Sequence, residues 1–139
     1  MNTARFHMVI EWGKIQEFAR ASMSEQPAYR TPLAVVPVTF LSVADWTWGP
    51  MQEWRLELFR EIGFGLDRIL HAEQEYVFHA AIPRVGDELT GEISLHELYE
   101  RTNGAGKTLR FATIRTAFRD RDDRLIADQF TTTVERPPI

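Results

Sequence analysis

Apolar and polar positions alternate, recur at helical spacing or run together along different parts of the chain, and each pattern predicts an element. Residues 6–12, FHMVIEW, alternate loosely and predict a first strand closed by Gly13. Ile15, Phe18 and Ala19 stand at i, i+3 and i+4, so 14–22 reads as a short helix with one apolar face. The following SEQPAYRTP is a loop, because neither Pro27 nor Pro32 has the amide hydrogen that a continuing helix needs. LAVVPVTFLS, 33–42, reads as a buried loop-to-strand segment, and ADWTWGP, 44–50, as an aromatic-rich loop. Trp54, Leu58, Phe59 and Ile62 then mark an amphipathic helix over 51–64, with Glu53, Arg55, Glu57 and Arg60 outside and Gly63 and Gly65 ending it. Trp46, Trp48 and Trp54 supply a large apolar area there, which serves either core and dimer packing or a wall for an acyl chain.

The stretch from Ile69 to Gly91 organises the rest. A polar cluster (His71, Glu73, Gln74, Glu75) leads into an extended apolar run from Val77 to Ile82, ended by Pro83 and a Gly86-Asp87 turn. Three strands follow: ELTGEISLHELYER, TLRFATIRTAFRD and LIADQFTTTVE, separated by turns at 103–107 and 121–123. In the first of them Leu89, Gly91, Ile93 and Leu95 share a face. The turn NGAGK lacks phosphate-loop spacing and joins two strands. Helices first and a continuous antiparallel sheet afterwards predict an α+β domain with a helix packed on one sheet face.

Composition narrows the function classes. At 139 residues the chain is expected to be a single domain, 1–139, with a real core. No apolar run reaches the roughly 20 residues that span a bilayer, and the N-terminus lacks a signal-peptide apolar region, so the expectation is a cytoplasmic protein without membrane insertion. Sixteen Lys+Arg against twenty Asp+Glu, net −4, disfavour nucleic acid as a partner. Without cysteine there is no thiolate nucleophile or Cys-based zinc site, and His7, His71, His79 and His96 are scattered. No metal or cofactor is expected.

Leu70-His71-Ala72-Glu73-Gln74-Glu75-Tyr76, Phe78-His79 and Val85-Gly86-Asp87-Glu88-Leu89 resemble the "LHGEQ…hRP…GD.L" pattern of the N-terminal domain of MaoC-like dehydratases. The resemblance implies a hotdog fold, an antiparallel sheet wrapped on a helix, working as a dimer or pseudo-dimer with acyl-thioester sites at the junction. It implies the activity of an (R)-specific 2-enoyl-CoA or enoyl-ACP hydratase-dehydratase, acting on an acyl thioester of coenzyme A or acyl carrier protein. Catalytic members carry an Asp and a His in the pattern A-S/T-G-D-x-N-P-x-H. Here that segment reads Ala21-Ser22-Met23-Ser24-Glu25-Gln26-Pro27-Ala28-Tyr29, with Ser24 at the Asp position and Tyr29 at the His position. Neither a hydroxyl nor a phenol of pKa about 10 replaces an Asp/His couple in moving protons near neutral pH. The departure implies a non-catalytic accessory subunit, either a homodimer or paired with a catalytic hotdog chain.

Val36-Pro37-Val38-Thr39-Phe40 resembles the family's channel segment, so the resemblance implies substrate contacts at Ser24, Tyr29, Val38 and Phe40. Other readings stay open at this stage: a self-sufficient hydratase or hotdog thioesterase, or a non-enzymatic acyl-CoA-binding module. For a self-sufficient enzyme the acid-base candidates are His71 and Glu73, with Glu75 and His79 nearby. Alternation along a strand brings His71, Glu73 and Glu75 to one side.

Overall fold

The computed structural model describes residues 3–47 and 49–138, with side chains over the same span except 46–50. The elements are β1 (Ala4–Val9), α1 (Trp12–Ala21), α2 (Ala44–Thr47), α3 (Gly49–Glu61), β2 (Ile69–Phe78), β3 (Glu88–Thr102), β4 (Thr108–Arg119) and β5 (Leu125–Glu135). The strands form one antiparallel sheet in the order β1-β3-β4-β5-β2, so every helix lies in the connection between the two edge strands. This is the hotdog arrangement expected above. No helix among the described residues is long and apolar enough to cross a membrane.

One face of the sheet makes the core. Ile114 pairs with Thr131, and Phe118 with both Gly91 and Ala127, so their side chains share that face. Phe6, Ile93, Ile114 and Phe118 from the sheet meet Ile15, Leu41, Met51 and Leu58 from the helical segment, all of them buried. Each such side chain contributes roughly 1.5–3 kcal/mol by leaving water. Gly91 is required by space: a Cβ there would run into the Phe6 ring, and that ring packs edge-on against Phe118.

The helical periodicities point inward as predicted. Ile15 and Ala19 of α1, and Leu58 and Phe59 of α3, are buried, while Phe18, Trp54 and Ile62 pack partly buried against the core. Two expectations are corrected. Residues 44–47 and 49–50 are helical rather than a loop, because Pro50 falls in the first turn of α3, where its missing amide hydrogen costs nothing. The apolar run 77–82 leaves the sheet after Phe78, and residues 79–82 are exposed. The proposed aromatic wall of Trp46 and Trp48 lies outside the described side chains.

α1 and α3 end in the same way. In α3, Gly63 N–H bonds Arg60 O and Phe64 N–H bonds Phe59 O, with Gly63 at φ 69°. In α1, Met23 N–H bonds Arg20 O and Ser24 N–H bonds Ala19 O, with Met23 at φ 53°. Both are the paired C-terminal closure that favours glycine, because a Cβ is crowded in the left-handed region. Met23 is 88% exposed, so no packing offsets that crowding. Met23→Gly is therefore expected to stabilise the fold by about 0.5–1 kcal/mol, raising the thermal midpoint by about 3 °C in calorimetry.

Candidate functional site

Between α3 and the β2 side of the sheet lies a cavity of about 630 Å³. Leu56 and Phe59 of α3 and Ile69 and Leu70 of β2 give it apolar walls, while Asp45, Arg55, His71, Gln74 and Tyr76 supply the polar groups. Arg55 was expected on the outer side of its helix. Instead it turns inward, because Asp45 is buried at 6% exposure and needs a counter-charge. Arg55 Nη2 donates to Asp45 Oδ1 at 2.7 Å, and Gln129 Nε2, fully buried on β5, donates to Asp45 Oδ2 at 2.8 Å. Burial pushes the Asp45 carboxyl up against the pull of these two partners. With both oxygens engaged, Asp45 is a structural clasp joining α2, α3 and β5 rather than a free base.

Tyr76 roofs the cavity by donating its hydroxyl to Thr39 O at 3.3 Å, and burial pushes its phenol up. His71 Nε2 lies 2.9 Å from Gln74 Oε1.

The structure separates the acid-base candidates of β2. His71 pairs with Thr133 but Glu73 pairs with Thr132, so Ala72 is the extra residue of a β-bulge. The bulge shifts the alternation by one. His71, Gln74 and Tyr76 line the inner cavity, whereas Glu73 and Glu75 line a hollow of about 400 Å³ with His96 and Glu97. His71 and Glu73 thus do not converge. Ala72 stands where the "LHGEQ" pattern carries glycine, the residue that most often marks a bulge, and that was the available signal.

The residues that the resemblance placed at the substrate lie apart from this cavity. Ser24 is half-buried beyond the end of α1, and Tyr29 packs partly buried against the core. Met23, at the pattern's glycine, has a left-handed backbone with φ 53° immediately before Ser24. Phe40 is 1% exposed and packs edge-on against Phe18, while Val38 is exposed. Their neighbour Thr39 is the member of the 36–40 segment that lines the cavity.

Past the end of β2, His79 Nε2 sits 2.9 Å from Asp128 Oδ2, and Arg115 Nε donates to Asp128 Oδ1 at 2.8 Å. Burial works to raise the Asp128 carboxyl, but the Arg115 and His79 hydrogen bonds outweigh it and hold the group below its ordinary range. The stabilisation from this lowered group is present above the ordinary carboxylate range and is lost as pH falls through the lowered value.

Comparison with known proteins agrees with the fold. The family described as FAS1-like, dehydratase domain region, matches residues 1–129. Among solved structures, the chain superposes on the C-terminally truncated HadBC (3R-hydroxyacyl-ACP dehydratase) complex from Mycobacterium tuberculosis with a TM-score of 0.72 at 22% identity, covering 96% of this chain and 94% of that one. A MaoC-like dehydratase gives a TM-score of 0.73 at 22% identity, covering 96% of this chain but 41% of that one. The ChsH1-ChsH2 complex from Mycobacterium tuberculosis gives 0.70 at 12% identity, covering 99% and 84%. No curated protein matches the chain.

Proposed function

Because the chain belongs to the MaoC-like hotdog dehydratase family, within the FAS1-like dehydratase domain region, we propose that it is an accessory subunit of an (R)-specific 2-enoyl-thioester hydratase-dehydratase. It pairs with a catalytic hotdog chain and completes that partner's site for an acyl thioester of coenzyme A or acyl carrier protein. The observation that carries this reading is the occupation of the catalytic loop by Ser24 and Tyr29 in place of the Asp and His that move protons. Two further features support it. The only carboxylate of the inner cavity, among the described residues, has both oxygens held by Arg55 and Gln129. β2 is a ten-residue edge strand whose own Leu70 is 49% exposed, an edge that pairing with a second sheet would cover.

His71 and Glu73 decide between accessory and catalytic roles. In the complex purified from the host, His71→Ala and Glu73→Gln are each expected to change the hydration rate by less than about threefold, since neither group delivers a proton to substrate. A loss of about 10²-fold or more in either variant, with folding intact by circular dichroism, would make this chain the catalyst instead.

A further inference from the structure

Three groups of side chains outside the inner cavity carry chemistry not yet assigned: the His79–Asp128–Arg115 chain, the acidic hollow around Glu73 and Glu97, and a basic hollow at the end of the sheet where β4 begins and β5 ends. The first is satisfied internally. Nothing points to what would enter the second. The third holds cations that the chain itself leaves unpaired.

This hollow encloses about 440 Å³ and shares no lining residue with the inner cavity. Arg68, Lys107, Arg110 and Arg136 line it, and Glu135 is the only carboxylate among its lining residues. The register brings them together. Arg110 pairs with Glu135, so Lys107, just before β4, and Arg136, just past β5, fall at the same sheet end. In a chain of net charge −4, this corner reverses the sign.

The four cations are of two kinds. Arg68 and Arg110 are fixed, since they share the single charge of Glu135. Arg68 Nη1 also donates to Arg136 O at 2.9 Å, and Arg110 donates to Gly63 O at 3.0 Å and Ile62 O at 2.6 Å. Held in this way, the two guanidinium groups have little side-chain freedom left to lose when a ligand arrives. Lys107 and Arg136 are exposed, and among the described residues neither side chain has an ion pair or a hydrogen bond. Outside the lining, Asp67 comes within 4.0 Å of Arg68 and Glu100 within 3.8 Å of Arg110, both mostly exposed and beyond hydrogen-bond reach. Even with these two counted, cations outnumber carboxylates, and the surplus lies at Lys107 and Arg136.

The arrangement selects the anion. A carboxylate has one charge and two oxygens, which a single guanidinium fork satisfies. Two free cations on different segments, set around a fixed guanidinium pair, suit a group with more charge and with oxygens pointing several ways. A phosphate monoester carries about −1.5 to −2 charges and three acceptor oxygens. The volume falls within the range of small-molecule sites.

We propose that this hollow binds the phosphate groups of a small molecule, a diphosphate above all, with Arg68 and Arg110 as the fixed floor and Lys107 and Arg136 closing on the charge. The site is independent of the accessory-subunit reading.

The test is calorimetric titration of the full chain with inorganic pyrophosphate in about 50 mM salt, where screening is weak. Lys107→Ala and Arg136→Ala are each expected to weaken binding about fivefold, and the double variant about twentyfold or more. Because neither side chain holds the fold, the thermal midpoint is expected to stay unchanged. Arg121→Ala, which removes an exposed cation at the opposite end of the sheet, is expected to leave affinity as it is. Succinate, a dicarboxylate, is expected to bind at least about tenfold more weakly than pyrophosphate. No pyrophosphate binding up to about 1 mM, wild-type affinity in the double variant, an equal loss in Arg121→Ala, or succinate binding as tightly as pyrophosphate would overturn the proposal. ADP distinguishes the sources. Tighter binding than pyrophosphate, lost in the double variant, upholds the site as one for a nucleotide; equal or weaker binding upholds it as one for free diphosphate.

Discussion

Purified away from any other subunit, the chain is expected to hydrate a 2-enoyl thioester about 10²–10⁴-fold more slowly than the complex recovered from its host. Hydration requires one group to take a proton from water and another to deliver a proton to the α-carbon, and positioned acid-base groups contribute on this scale. At the two positions of the catalytic loop this chain offers Ser24 and Tyr29. Elsewhere, Asp45 is clamped by Arg55 and Gln129, and the bulge at Ala72 parts His71 from Glu73. Individual losses within one catalytic unit do not multiply, so the range is set by the couple and not by a product of two. The check is the disappearance of enoyl absorbance at equal protein concentration. A rate within about tenfold of the complex would mean that proton transfer arises within this chain.

The largest stability effect is expected at Glu135, near the end of β5. Its side chain is almost fully buried, with Oε1 accepting from Gly65 N–H at 2.6 Å and Arg68 Nη2 at 2.9 Å, and Oε2 accepting from Arg110 Nη1 at 3.0 Å. Arg110 in turn donates to Gly63 O and Ile62 O and lies 4.6 Å over the Phe64 ring. One carboxylate therefore ties the end of α3 and the start of β2 to β4 and β5. Glu135→Ala leaves two partly buried guanidinium groups with only the exposed carboxylates of Asp67, 4.0 Å from Arg68, and Glu100, 3.8 Å from Arg110, so the loss falls toward the lower end of the about 3–5 kcal/mol that breaking a buried pair costs. Glu135→Gln keeps one acceptor and is expected to cost less. Urea unfolding monitored by tryptophan fluorescence measures both, and a Glu135→Ala loss under about 1 kcal/mol would show that the apolar core alone fixes this corner.

The sheet was legible because its signals are local. In β3 the alternation of Leu89, Gly91 and Ile93 points them inward, and the Asn103–Lys107 turn closes on Asn103 Oδ1, which accepts from the Ala105 and Lys107 amides. The loss of the Asp/His couple was likewise legible in the identities of Ser24 and Tyr29 alone. The cavity was not legible, and the reasons are physical. Asp45 and Gln129 are 84 residues apart, so their hydrogen bond exists only once α2 has been laid against β5. Arg55 looked like a solvated helix charge because sequence periodicity carries no information about a buried counter-charge. In β2, a single extra residue inverts which side chains face inward, so strict alternation put His71 with Glu73 when the strand separates them.

The central claim is that this chain works only beside a second hotdog chain that brings the catalytic Asp and His. Native mass spectrometry of the tagged chain, purified from its own host without a denaturing step, tests it most directly. The expected result is a defined complex with a second hotdog subunit whose catalytic loop carries both residues. Recovery of this chain only with copies of itself would contradict it.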